Sequence, residues 1–106
     1  MEQITKQRFA AMVRIWINHK KAIAEHSESS HYKNPIILKS FTRINDLLKL
    51  VRRDCNEYNL SDLCKMIVIN ENDLRNILPA LRNASYKTQV EKLDFIITTA
   101  KQFKKC

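Results

Sequence analysis

At 106 residues, 44% apolar and 28% charged, the chain is long enough to bury a core of its own and too apolar to stay unfolded. It contains no glycine and only two prolines, which excludes phosphate-cradling glycine loops, the dinucleotide fingerprint and the nucleophile elbow together and disfavours tight hairpins. The net charge of +8 is concentrated in the first half: residues 1–53 hold eleven Lys and Arg against four Asp and Glu, residues 54–106 eight against seven, so a polyanion or an acidic partner is expected for the basic half, with solubility as the plainer meaning of the charge.

The first helix is expected over roughly Thr5 to Glu25. Phe9, Met12, Val13, Trp16 and Ile23 fall on one stripe at three- and four-residue steps. Arg8, Arg14, Lys20 and Lys21 occupy the remainder. Ile15 and Ile17 interrupt the polar side, which points to burial on two sides or to a partner surface. A basic amphipathic helix can lie on a membrane, but the acids here and the helices that follow give this one a better place to pack, so no membrane is expected among its partners. No apolar run approaches the ~18 residues of a membrane span, and the N-terminus does not have the pattern of a signal peptide.

From His26 to Asn34 the chain reads HSESSHYKN, a polar loop without apolar period. Its histidines invite a catalytic or metal reading, but the spacing of His19, His26 and His31 matches no standard metal template. Ser29 and Ser30 lack the surroundings that nucleophilic catalysis needs. No metal, no cofactor and no enzymatic activity are expected. Cys55, Cys64 and Cys106 are an odd count without close pairing, which suggests reduced thiols and a cytoplasmic protein.

Asn34-Pro35 is a helix start, a cap residue followed by proline at the first helical position. Ile37, Phe41, Ile44, Leu48, Val51, Cys55 and Tyr58 then alternate steps of four and three, a single seam along about six turns, widened by Leu38, Leu47 and Leu50. The sequence predicts a central bundle helix over 35–58, closed by Tyr58-Asn59, with Asn59 or Ser61 opening the next. Lys39, Arg43, Lys49, Arg52 and Arg53 line its exposed sides and are the best phosphate-binding candidates in the chain.

Leu60 to Leu81 reads LSDLCKMIVINENDLRNILPAL. Leu63 and Ile67 give a first short helix (61–67) an apolar face, and Cys64 is the small residue where a crossing helix comes close. Val68 stands at the turn and Ile69 is the apolar plug after it. Asn70 is the expected N-cap of a second helix (71–78), with Asp73 at its third position. Leu74, Ile77 and Leu78 form that helix's buried side. This pattern resembles the helix-turn-helix superfamily of DNA-binding domains. The resemblance covers about a fifth of the chain and implies that Asn72, Arg75 and Asn76 face base edges while Lys65 holds phosphate.

Pro79 limits the second motif helix, and Asn83 and Ser85 form a break. A last helix is expected from about Thr88, where Thr88 and Glu91 form a capping box. Val90, Leu93, Ile97, Ala100 and Phe103 are its stripe, broadened by Phe95 and Ile96. Lys101, Lys104 and Lys105 favour the dipole at its end.

These elements predict a single all-α domain over 1–106, a bundle of about five helices with a helix-turn-helix-like pair at 61–78. Two functions follow. The first is a small nucleic-acid-binding regulator of transcription, homodimeric if the first or last helix supplies the contact, binding duplex DNA or, without groove reading, RNA. The second is a non-enzymatic interaction module (adaptor, inhibitor or immunity-type protein) whose basic face docks an acidic partner. The second is favoured by the surplus apolar residues near Trp16 and by a net charge of −3 over 54–81, where five acids face two bases.

Overall fold

The computed structural model describes residues 4–26, 34–54, 57–78 and 86–103, with 52–54 described in their backbone only. These residues form five helices and no strand: α1 (Lys6–His26), α2 (Pro35–Asp54), α3 (Glu57–Ile69), α4 (Glu71–Asn76) and α5 (Tyr86–Phe103). The molecule is an all-α bundle, as the helical periodicity and the absence of glycine predict.

The starts of α1 and α2 follow from local chemistry. The first amides of a helix have no partner within it. The Arg8 amide donates to Thr5 Oγ1 (3.2 Å), and the Ile36 amide donates to Asn34 Oδ1 (2.9 Å). Pro35 costs α2 nothing at its first position, where the missing N–H would have been unpaired in any case.

One continuous apolar core draws on all five helices. Helix α2 packs against α1 on one side and α3 on the other, α3 packs against α5, and α4 touches α2, α3 and α5. Phe9, Val13, Phe41, Ile44, Leu63, Ile67, Ile77 and Leu93 have no exposed surface, and burying each contributes about 1.5–3 kcal/mol. Phe9 meets Phe103 edge to face with ring centroids 5.4 Å apart, which fastens the start of α1 to the end of α5.

Several details differ from the sequence reading, each because a local pattern ran on past a break in packing. The α2 seam is buried through Val51, but Tyr58 belongs to α3 and is 72% exposed; Cys55 lies outside the described residues. Helix α3 therefore begins at Glu57 rather than at Asn59 or Ser61, and Ser61 is buried within it. Leu50 does not widen the seam but faces outward. Helix α5 begins at Tyr86, so Thr88 is inside it and caps nothing. His31, Ser29, Ser30, Pro79, Asn83, Ser85, Lys104 and Lys105 lie outside the described residues. No helix among those described is long and apolar enough to cross a membrane.

Candidate binding surfaces

The α3–α4 pair was the segment that resembled a DNA-reading unit. Such units join their helices through a turn of three or four residues. Here α3 continues through Val68 to Ile69, and one residue, Asn70, separates it from α4. Asn70 has φ −97° and ψ 17°, so no left-handed residue is required at the joint. The helical hydrogen-bond ladder spans it: the Asn70 amide donates to the Met66 carbonyl and the Leu74 amide to the Asn70 carbonyl, both at 3.0 Å. Ile69 is no plug, being 75% exposed.

The Asn70 side chain does not cap α4. Its Nδ2 donates to the Met66 carbonyl at 2.8 Å, and its Oδ1 accepts from Ser40 Oγ at 2.7 Å. Ser40, buried on α2, also lies 3.0 Å from both Asp73 Oδ2 and the Ile36 carbonyl. A hydroxyl has one proton, so these three acceptors share it, and the cluster ties α2 to the joint and first turn of α4. It leaves Asp73 turned toward the protein.

Of the three residues expected at base edges, Asn72 and Asn76 are exposed and Arg75 is half-buried. The Arg75 guanidinium contacts Asp94 Oδ1 on α5 at 2.7 Å and Glu71 Oε1 at 3.7 Å. A fork held by two carboxylates is not available to a guanine without breaking those contacts. Helix α4 has six residues in all, and its Arg75 stands between Glu71 on the same helix and Asp94 on α5, a local field that repels phosphate.

The outer face of α2 is different. Lys39, Arg43 and Lys49 are exposed, and among the described residues none of them pairs with a carboxylate. Lys65 is likewise exposed on α3. The side chains of Arg52 and Arg53 lie outside the described residues. Ile36, Lys39, Arg43, Asp46 and Leu50 step by three and four, so they share one stripe on the solvent side of α2. Its two ends are apolar and open: Ile36 is 66% and Leu50 42% exposed.

A third feature escaped the sequence reading. Lys20, assigned to the polar side of α1, is 1% exposed. Its ammonium lies 5.5 Å from the centroid of the Trp16 ring, within cation–π range, and has no carboxylate partner among the described residues. Desolvation, with Lys92 repulsion second, lowers its pKa from 10.5 to about 8. Trp16 Nε1 is buried without an acceptor among the described residues. The signal was present: Phe9, Val13, Trp16, Lys20 and Ala24 are all buried and follow one another by three or four residues, so position places Lys20 in the seam although residue type does not. Ile17, read with Ile15 as a surplus apolar residue, joins the core, and only Ile15 is left outside at 69% exposed.

Among the described residues, no three of His, Cys, Asp and Glu gather as metal ligands would. Set against models of known protein families, characterised proteins and solved structures, the chain shows no significant match to any.

Proposed function

We propose that this protein is a non-enzymatic helical interaction module that docks an acidic partner protein along the outer face of α2. The observation that carries the reading is the composition of one stripe. Ile36 and Leu50 stand exposed at its ends, Lys39 and Arg43 stand between them without a carboxylate partner among the described residues, and Asp46 interrupts the cations. A phosphate backbone has no use for exposed apolar ends and is repelled by the acid. An acidic amphipathic helix uses both, apolar residues onto Ile36 and Leu50 and carboxylates onto Lys39 and Arg43.

Nucleic-acid binding is the second reading, favoured by the exposed Lys39, Arg43 and Lys49 together with the net charge of +8. In that form α2 grips phosphate of DNA or RNA without reading sequence, and Asn72, Arg75 and Asn76 take no part. The cytoplasmic setting and the homodimer expected from the sequence belong to these proposals, and Ile15 and Phe95 are the exposed apolar residues on the first and last helices that a homodimer would use.

The test is affinity capture on the immobilised protein, with and without nuclease, beside two double variants. A protein partner captured independently of nuclease, and lost both with Ile36→Ser/Leu50→Ser and with Lys39→Glu/Arg43→Glu, is the expected result. Capture that nuclease abolishes, and that survives Ile36→Ser/Leu50→Ser, would transfer the function to the second reading.

A further inference from the structure

Helices α1 and α5 meet at the Phe9–Phe103 contact. Between them lies an open trough of about 530 Å³, within the range of small-molecule sites. Met12, Ile15, Phe95 and Ile96 make its apolar walls, with Trp16 and Lys20 beside them. Ile15 and Phe95 remain 69% and 46% exposed, so the walls are not closed over by the described residues.

The trough is lined by Thr88, Gln89 and Glu91 on α5 and by Trp16 and Lys20 on α1. Trp16 Nε1 is a donor that can never accept, and an ammonium has donors only. Both side chains are more than nine-tenths buried; Trp16 Nε1 has no acceptor among the described residues, and Lys20 has no carboxylate partner among them. A buried donor left unpaired is costly, more so when it is charged. The charged groups facing Lys20 do not correct the imbalance. His19 and Lys92 line the same trough, and the one acid there, Glu91, is exposed and is not among the causes acting on the Lys20 ammonium, where Lys92 is. By contrast, the cleft of about 550 Å³ between α1, α2 and α3 has its Lys6 already paired with Glu57.

The geometry points to a binding site for a small amphiphilic carboxylate, an acid on a single hydrocarbon chain, with its head on Lys20 beside the Trp16 ring and its chain along Ile15 and Phe95. The Lys20 ammonium lies 5.5 Å from the centroid of the Trp16 ring, so a head group on Lys20 would sit beside that ring. Lys20 is only 1% exposed, so the acceptor must arrive on a slender chain along the trough; the broad face of another protein would reach Ile15 and Phe95 but not the ammonium. The site is separate from the outer face of α2 and stands or falls independently of the partner proposed there.

Trp16 is the only tryptophan in the chain, so its emission reports occupancy directly. The probe is decanoate below its micelle concentration, with decanol and methyl decanoate as uncharged controls. The expected result is saturable quenching or shift of Trp16 emission by decanoate, with affinity about tenfold above that for either control, the ratio one charge-assisted hydrogen bond supplies. Lys20→Met keeps the buried stem and removes the charge, and should bring the ratio to about one. Phe95→Ser should weaken all three ligands together. If Lys20→Met does not fold, the decanoate-to-methyl-ester ratio on the unaltered protein still decides. Equal affinity for acid and ester, no saturable response to decanoate, or a ratio unchanged by Lys20→Met would each overturn the assignment.

Discussion

Helix α4 and the outer face of α2 both present Arg, Asn or Lys at helical spacing, yet they differ in what those side chains already touch. On α4, Arg75 is held by Asp94 and Glu71, and the helix start is tied through Asn70 and Asp73 to Ser40. On α2, Lys39, Arg43 and Lys49 meet no carboxylate among the described residues, and Ile36 and Leu50 lie open beside them. The first region spends its polar groups on holding the bundle together, and the second keeps them for something outside it. Residue type and spacing alone make the two look alike; the difference lies in contacts between helices far apart in sequence.

The sharpest way to break this comparison is at the end of α3. If 61–78 were a DNA-reading corner, Ile69 would be buried as its plug and substitution there would be costly. We expect Ile67→Ala, which empties a fully buried position, to cost about 3 kcal/mol and Ile69→Ala to stay within about 0.5 kcal/mol, read by urea unfolding. Comparable costs at the two positions would restore the plug.

Lys20 gives the next largest effect and concerns pH. A lysine whose pKa falls on folding is penalised while it is charged. The penalty is whole below pH 8 and fades as pH rises toward 10.5, where the unfolded chain also releases the proton. Stability should therefore rise across that window. At ~1.4 kcal/mol per pKa unit, discounted because the trough beside the ammonium is open to water, the rise is about 1–2 kcal/mol. Lys20→Met should remove it, and a Lys20→Met protein whose thermal midpoint climbs with pH as steeply as the original would show that Lys20 is not the cause.

Ser40→Ala should cost about 1–2 kcal/mol, because Asn70 Oδ1 and Asp73 Oδ2 lose a shared donor in a partly buried place. A neutral substitution would mean that water replaces the hydroxyl and that the cluster does not brace α4. Smallest is Arg75→Ala. Its ion pairs are partly exposed, so less than about 1 kcal/mol should be lost, while a larger loss would mean that Arg75 is a structural strut between α4 and α5.

Much of the bundle was legible in the sequence because it is set by local rules. Thr5 and Asn34-Pro35 mark helix starts through bonds to amides two or three residues away, and the α2 seam from Ile37 to Val51 marks the buried side through period alone. What was not legible depends on meetings between helices. The seam spacing continues through Cys55 to Tyr58, so nothing local reveals that α3 has begun by Glu57. Asn70 is a sound cap by residue type, but Ser40, thirty positions away, claims its oxygen. Arg75 looks free until Asp94 is brought beside it. Lys20 was misplaced for the opposite reason: its position in the stripe was plain, and its charge argued against trusting it.

The measurement that bears most directly on the central contrast is duplex DNA binding at low salt. It compares random and varied-sequence duplexes for three proteins: the unaltered chain, Asn72→Ala/Arg75→Ala/Asn76→Ala, and Lys39→Glu/Arg43→Glu. Weak, salt-sensitive binding without sequence preference, unchanged by the triple substitution and reduced at least tenfold by the charge reversal, is the predicted result. Sequence-selective binding that disappears when Asn72, Arg75 and Asn76 are removed would contradict it, and would make α4 the reading helix after all.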